Sequence, residues 1–258
     1  MNIRTLLLII IIIVVLYYLV RWLTSDPSSL TVITPGTQLT TVDYSSLTTN
    51  PDGSIPSNFT YSLWFYVNDW NYRYGEPKVL FGRMNGTTSS SSSSSVDGVS
   101  GDGPCPLAVL GAITNDLNIS MTVFPGTSQD YEVNSNSSSV VHTCSLQNVP
   151  IQKWVNLLVS VYGRTLDVYL DGKLVKTCVL PGIAKVNNNS NVYITPKGGF
   201  SGWTSRFQYF PNATDPQTAW NIYQKGPGGN GGLSNTWGKY QVKVSVIDNG
   251  TETNSFTI

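Results

Sequence analysis

Residues 154–180 read Trp-Val-Asn-Leu-Leu-Val-Ser-Val-Tyr-Gly-Arg-Thr-Leu-Asp-Val-Tyr-Leu-Asp-Gly-Lys-Leu-Val-Lys-Thr-Cys-Val-Leu, and no other stretch constrains the fold as strongly. Apolar side chains alternate through Val155, Leu157, Val159 and Val161, then through Leu166, Val168 and Leu170. That period of two belongs to strands buried on one face. Tyr162-Gly163-Arg164 and Asp171-Gly172 interrupt it, and Asp-Gly suits a two-residue hairpin because both central positions need positive φ. A meander of three short antiparallel strands is predicted here.

The same pattern recurs along the chain. Phe59–Val67 alternates aromatic and apolar residues on both faces, as a central strand covered on two sides would. Lys78–Phe81, Leu107–Leu110, Leu117–Phe124, Val140–Leu146, Asn191–Thr195, Gly199–Phe210 and Gln241–Ile247 supply further strands, and Asn254–Ile258 is a candidate for another. Asp215-Pro216 caps one short helix ending before Gly226. Many short strands with one small helix predict an all-β fold, a two-sheet antiparallel jelly-roll sandwich.

Ahead of this lies a different kind of segment. Leu6–Val20 is fifteen apolar residues without interruption, flanked by Arg4 and by Arg21-Trp22-Leu23. As a helix the run is about 22 Å long, and the flanking residues extend it toward a ~30 Å hydrocarbon core. Arg4 and Arg21 can reach the two interfaces, where Tyr17, Tyr18 and Trp22 also belong. Arg21–Pro27 is a poor cleavage sequence, so an uncleaved single-pass membrane anchor is expected rather than a signal peptide. The expected division is an anchor over 1–23, a Ser/Thr/Pro-rich linker with a first strand over 24–56, and the sandwich over 57–258.

Charge and cysteines exclude several functions. Lys plus Arg and Asp plus Glu both number 15 and charged residues make up 12% of the chain, with no basic cluster, so nucleic acid is not an expected partner. Three cysteines leave at most one internal bridge, with Cys144 and Cys178 as its candidates in one sheet region; two buried thiols are the other reading. His142, the single histidine, stands two residues before Cys144, far short of four zinc ligands. The Asp-Gly pairs at Asp97 and Asp102 offer oxygens to calcium but lack the acidic spacing of a calcium loop. Turn chemistry is expected there, and no cofactor. Residues 85–104, with seven consecutive serines, are expected to form a surface loop.

Four segments resemble the laminin-G-like, concanavalin A-like lectin/glucanase superfamily. They are Phe59–Val67 with Trp64, Ile151-Gln-Lys-Trp154 with the meander that follows, Gly198-Gly-Phe-Ser-Gly-Trp-Thr-Ser-Arg-Phe-Gln-Tyr209, and Pro216–Gly226. Together with the anchor they also resemble membrane or minor capsid-associated virion proteins of large DNA viruses of algae and protists. That resemblance implies a virion structural protein on an internal or host membrane, docking to capsid or other virion proteins.

Glycosidases of this superfamily carry Glu-x-Asp-x-x-Glu on one strand, placing nucleophile and acid about 5 Å apart. Only Glu76, Glu132 and Glu252 occur here, none in such a pattern, and Asp171 is committed to its turn. No Gly-x-Ser-x-Gly elbow accompanies His142. A non-enzyme is expected. The alternative to virion docking is a membrane-tethered lectin-like adhesion protein, with Trp70, Tyr72, Tyr74, Trp203 and Trp237 as candidate glycan or partner contacts. Seven Asn-x-Ser/Thr sequons occur, of which Asn85 and Asn136, in loops, are the expected acceptors wherever the domain faces a lumen.

Overall fold

In the computed structural model the described residues are 11–12, 14–19, 28–47, 56–84, 95–96, 99–100, 103–125, 139–187, 189–228, 243–248 and 251–257. Residues 28–227 form one compact unit, and the described residues before and after them belong to a second. Within the first unit, twelve strands build two six-stranded sheets. The first sheet has the order β1 (Thr34–Pro35), β14 (Ser201–Phe210), β3 (Phe59–Asp69), β10 (Trp154–Tyr162), β11 (Thr165–Leu170) and β12 (Lys173–Val179). The second has the order β2 (Thr40–Val42), β13 (Val192–Ile194), β4 (Lys78–Arg83), β7 (Leu107–Leu110), β8 (Leu117–Val123) and β9 (Val140–Leu146). Every pairing in both is antiparallel. A two-residue pair, β5 (Ser95–Val96) with β6 (Val99–Ser100), lies within the serine-rich stretch. In the second unit, β15 (Lys243–Asp248) pairs with β16 (Thr251–Thr257), and residues 14–19 are helical.

Alternation decides which residues become core. Phe59, Tyr61, Leu63, Phe65 and Val67 of β3 share the inner face with Val155, Leu157, Val159 and Val161 of β10. They meet Leu80, Phe81, Ala108, Ile119 and Met121 from the opposite sheet. The rings of Tyr61, Phe81 and Phe207 lie 5.5–5.8 Å apart by centroids and carry the contact across the sandwich. Tyr61 also accepts a hydrogen bond from Arg83 Nη1 at 3.2 Å, while Arg83 Nε donates to the Ser190 carbonyl at 3.2 Å. Burial pushes the Tyr61 hydroxyl above the ordinary tyrosine range, against the opposing pull of the Arg83 guanidinium.

The predicted meander is β10–β11–β12. Asp171 (φ +50°) and Gly172 (φ +73°) form its turn, both left-handed as a tight hairpin requires. Asp171 Oδ1 accepts from the Asn156 backbone at 3.0 Å, and Oδ2 accepts from Lys153 Nζ at 2.8 Å. Gly172 does a second job: a side chain there would press on Trp220 and Tyr223 of the helix Pro216–Gln224. That helix buries Ala219 and Ile222 against Leu158 and Tyr169 on the outer face of the first sheet. Asp171→Ala removes both the turn's left-handed tolerance and the bond to Asn156. The Lys153 pair is exposed and adds little. We expect a loss of about 1–2 kcal/mol in urea unfolding, and an unchanged midpoint would refute this account of the turn.

The linker expectation changes in detail. Ser29 bridges to Gln208, Leu30 N donates to the Phe207 carbonyl at 2.8 Å, and Gly36 N donates to the Gly202 carbonyl at 2.7 Å. Residues 28–36 are thus laid along β14 as a strap and do not form a free spacer. Cys144 and Cys178 are joined by a disulfide. They do not share a sheet region, as their positions in sequence suggest, but stand on β9 and β12, edge strands of opposite sheets, so the bridge ties the two sheets together. Among the described residues no helix is long and apolar enough to cross a membrane. Residues 1–10, 13 and 20–23 of the expected anchor lie outside the described residues.

Candidate functional site

The helix Pro216–Gln224 covers only part of the outer face of the first sheet. Its Tyr223 stacks on Trp64 at 5.5 Å with the planes 18° apart, closing that part off. One step further along β3 the face is open. There Tyr66 is directly opposite Trp154 of β10 on one side and Trp203 of β14 on the other. The three rings form a row across three adjacent strands, with centroid separations of 5.8 and 5.7 Å. Strand spacing of about 4.8 Å sets this pitch, and the rings lean 59–60° against one another, making a ridge and not a flat plate. Trp203 is 42% exposed, and Tyr66 and Trp154 are half-buried.

Backbone geometry at Gly202 makes the row continuous. Its φ is +151°, and a side chain there would run into the Tyr66 carbonyl oxygen. Glycine therefore lets β14 come close enough to β3 for Trp203 to meet Tyr66. The row sits at the end of the sandwich where the loops 70–77, 111–116, 147–153 and 195–200 gather. Trp70 Nε1 donates to the Ile113 carbonyl, Val149 N donates to the Asn115 carbonyl, and Gln152 N donates to the Val67 carbonyl. Six of the seven non-glycine residues with left-handed φ among the described residues lie at this end: Arg73, Asn148, Gln152, Asp171, Thr195 and Lys197. Such conformations cost energy and persist only where surrounding contacts enforce them. Lys78 is one source of that enforcement. It is buried, its Nζ lies 4.6 Å from the centre of the Trp70 ring, and it donates to the carbonyls of Arg73 and Glu76. Burial, and secondarily the nearby Arg73, hold its ammonium below the ordinary lysine range.

The residues expected as contacts divide accordingly. Trp203 stands in the open row. Tyr72 and Tyr74 lie in the 70–77 loop at the same end, Tyr74 exposed and Tyr72 half-buried. Trp70 is also there, but its indole packs on the core, carries Lys78 over its ring and spends its N–H on Ile113. Trp237 lies outside the described residues, as do Asn85 and Asn136. Tyr66 and Trp154, which alternation alone marks only as strand residues, complete the row.

Carboxylates near the site are occupied. Asp171 holds the turn, Asp69 accepts from Asn71 N at 2.9 Å, and Glu76 pairs with Arg73. Farther off, opposite Ser160 toward the other end of β10, Asp167 accepts from Thr177 Oγ1 at 2.6 Å. Among the described residues no three His, Cys, Asp or Glu side chains are grouped to share a metal ion. Asp97 and Asp102 are outside the described residues.

Two stacked antiparallel six-stranded sheets, with one short helix on an outer face, define a lectin-type jelly-roll sandwich. The chain belongs to the concanavalin A-like lectin/glucanases superfamily, whose family model matches residues 39–210. No curated protein matches it. Among solved structures it is similar to the botulinum neurotoxin serotype D/C binding domain, with 13% identity, a TM-score of 0.44, and coverage of 66% of this chain and 37% of that one. It is also similar to the binding domain of botulinum neurotoxin DC in complex with rat synaptotagmin II, with 13% identity, a TM-score of 0.44, and coverage of 65% and 35%. For the same domain in complex with SialylT the values are 12%, 0.46, 69% and 38%. The chain spans less than half the length of these structures.

Proposed function

We propose that this chain is a membrane-tethered, non-enzymatic binding protein that holds carbohydrate on the ridge Trp203–Tyr66–Trp154. The observation that carries this reading is the register of three aromatic rings across β14, β3 and β10 at the uncovered end of the sheet. Aromatic faces supply apolar contact area, and such rings favour ligands with one apolar and one polar side. A sugar is such a ligand, with C–H bonds on its ring faces and hydroxyls at its rim. Asn68, Asp69, Gln152 and Lys153 stand exposed beside the ridge and can meet those hydroxyls. Zero net charge suits a neutral ligand better than a phosphate. Non-catalysis is supported by the commitments of Asp167 and Asp171 and by the missing Glu-x-Asp-x-x-Glu strand. The tether is the apolar run Leu6–Val20.

The test is a glycan array probed with the full chain in detergent, alongside Trp203→Ala. Binding should fall at least tenfold, about 1.4 kcal/mol, with the unfolding midpoint unchanged because Trp203 is exposed. An array blank for the parent chain would remove the carbohydrate reading. If the chain then stayed with purified virus particles through high salt, the virion-docking reading would take its place.

A further inference from the structure

We infer that Asn212 is an acceptor of N-linked oligosaccharide, and that the sandwich matures in the oxidising lumen where that transfer takes place. Two independent observations lead there: the Cys144–Cys178 bridge and the setting of the sequon Asn212-Ala213-Thr214. Disulfides form and persist where the surroundings are oxidising, whereas a thiol-reducing cytosol takes them apart. Forming this bridge removes two electrons and two protons from the Cys144 and Cys178 thiols and passes them to a disulfide donor, which leaves as a dithiol. Cys178 is half-buried on an edge strand, within reach of such exchange.

Sequons recur along the chain, and the fold sorts the three whose asparagines are among the described residues. Asn58 and Asn118 are half-buried. Asn58 Oδ1 accepts from Gly163 N at 2.8 Å and Asn118 Oδ1 accepts from Ser145 Oγ at 2.7 Å, so each side chain lies against a neighbour. Asn212 is exposed, just past the end of β14 and ahead of the helix Pro216–Gln224. What the fold holds there is the main chain. The Asn212 carbonyl accepts from Thr60 Oγ1 at 2.8 Å, and Thr214 N donates to Ser160 Oγ at 2.9 Å. Thr214 Oγ1 donates to Thr60 Oγ1 at 2.9 Å. Pinned on both sides, the segment turns the Asn212 amide to water, and an oligosaccharide on its Nδ2 leaves these contacts in place.

The donor is of one class, an oligosaccharide joined through its C1 to a lipid diphosphate. A bond forms between Asn212 Nδ2 and C1 while the bond from C1 to the diphosphate oxygen breaks. The lipid diphosphate departs with that electron pair, and Nδ2 gives up one proton. The product is a bulky, solubilising group on the surface of the sandwich. Its point of attachment is well away from the aromatic ridge. Trp203 stands opposite Tyr66 and Phe210 opposite Thr60, so the two places are separated by the length of β3 from Tyr66 to Thr60, about 20 Å at the usual strand rise. Asn212 lies beyond Phe210, at the end of the sandwich remote from the loops 70–77 and 147–153.

The experiment expresses the full chain in cultured mammalian cells and follows the tryptic peptide Phe207–Lys225, whose single sequon is that of Asn212. Mass spectrometry reads this peptide before and after amidase release, which converts a glycosylated asparagine to aspartate, and alkylation before and after reduction reads the state of Cys144 and Cys178. The expected result is a hexose-bearing peptide that becomes Asp at position 212 on release, from chains with the bridge formed. Asn212→Gln should lose one step of the glycan-dependent shift on a gel and keep the parent's urea midpoint, because the side chain is exposed. Glycans at other sequons with Asn212 bare overturn the Asn212 assignment and leave the lumenal one standing. A formed bridge with no sequon modified overturns both, since oxidation then takes place without transfer. Reduced cysteines in an unmodified chain overturn both as well.

Discussion

Phe207→Ala is expected to cost about 3–5 kcal/mol, the range for removing a fully buried aromatic ring. Phe207 is completely buried on β14, with Tyr61 of its own sheet at 5.8 Å and Phe81 of the facing sheet at 5.5 Å. Relaxation cannot refill the space easily, because the backbone at this point is pinned. Phe207 N donates to Thr31 Oγ1 at 3.0 Å and its carbonyl accepts from Leu30 N at 2.8 Å. The neighbouring Arg206, left-handed at φ +48°, donates to the carbonyls of Lys225 and Gly226 at the end of the helix. A cavity that cannot collapse puts the cost in the upper half of the range. Urea unfolding of the full chain should show a lower midpoint at an unchanged slope. Phe207→Leu, which keeps most of the volume, should lose less than half as much. A loss below about 1 kcal/mol for the alanine variant, well short of the range for a buried ring, would show that the two sheets are not held together through it.

The parts of the fold legible in the sequence are those with local signals. The Asp171-Gly172 turn is readable because two successive left-handed positions need particular residues, and the strands on either side alternate. Burial of β3 on two faces is readable from Phe59–Val67, where no polar stripe is left. The strap is not. Its contacts with β14 are made by the backbone groups of Leu30 and Gly36, and any sequence offers those. The bulge in β14 is hidden as well, since Arg206 and Phe207 together occupy the space opposite one residue of β3, between the pairs Ser205–Trp64 and Gln208–Ser62. Periodicity counts residues and cannot show which of two is bulged. Consecutive strands usually pair, which is why Cys144 and Cys178 are expected in one region. Instead the chain changes sheets between β9 and β10.

The candidate site shows the same division. Trp203 shares its phase with Phe207 and Tyr209, the core residues of its strand, so alternation alone would point it inward, and only the bulge at Arg206–Phe207 turns it out. Tyr66 and Trp154 do carry phase information, since each neighbours a core residue, Phe65 and Val155. What the sequence lacks is that two strands distant in the chain align these two positions, and that β14 brings Trp203 to the same row. Trp70 illustrates the converse. Surrounded in sequence by Asn68, Asp69 and Asn71, it reads as a solvated aromatic, yet its N–H and ring are both committed within the loop end. Local polarity reports where a loop lies and not what its aromatic residue touches.

Removing the Cys144–Cys178 bridge is expected to cost about 4 kcal/mol, the chain-entropy value for a closed loop of this length. The two cysteines are separated by 34 positions, so the reduced unfolded chain regains the freedom of the whole segment carrying β10 and β11. The folded state loses little in exchange, because Cys144 lies at an edge strand and both sheets keep their ladders. Against a typical total of about 5–15 kcal/mol, this leaves a domain that still folds but opens readily. The paired variant Cys144→Ser/Cys178→Ser isolates the effect, since a single replacement leaves a free thiol at the edge. The remaining cysteine, Cys105, is not an exchange partner: it is buried, and burial pushes its thiol up to about 12, so almost no thiolate exists at neutral pH. The loss should appear as faster hydrogen exchange in β9 and β12 before β3 and β14, because the bridge ties the outermost strands. Binding at Trp203 should be retained at temperatures where the variant is folded, since the ridge is built on β14, β3 and β10, away from that side. A stability loss under about 1 kcal/mol, far below the loop-closure value, or a loss of binding by the folded variant, would place the bridge in a role other than holding the two sheets together at their far edges.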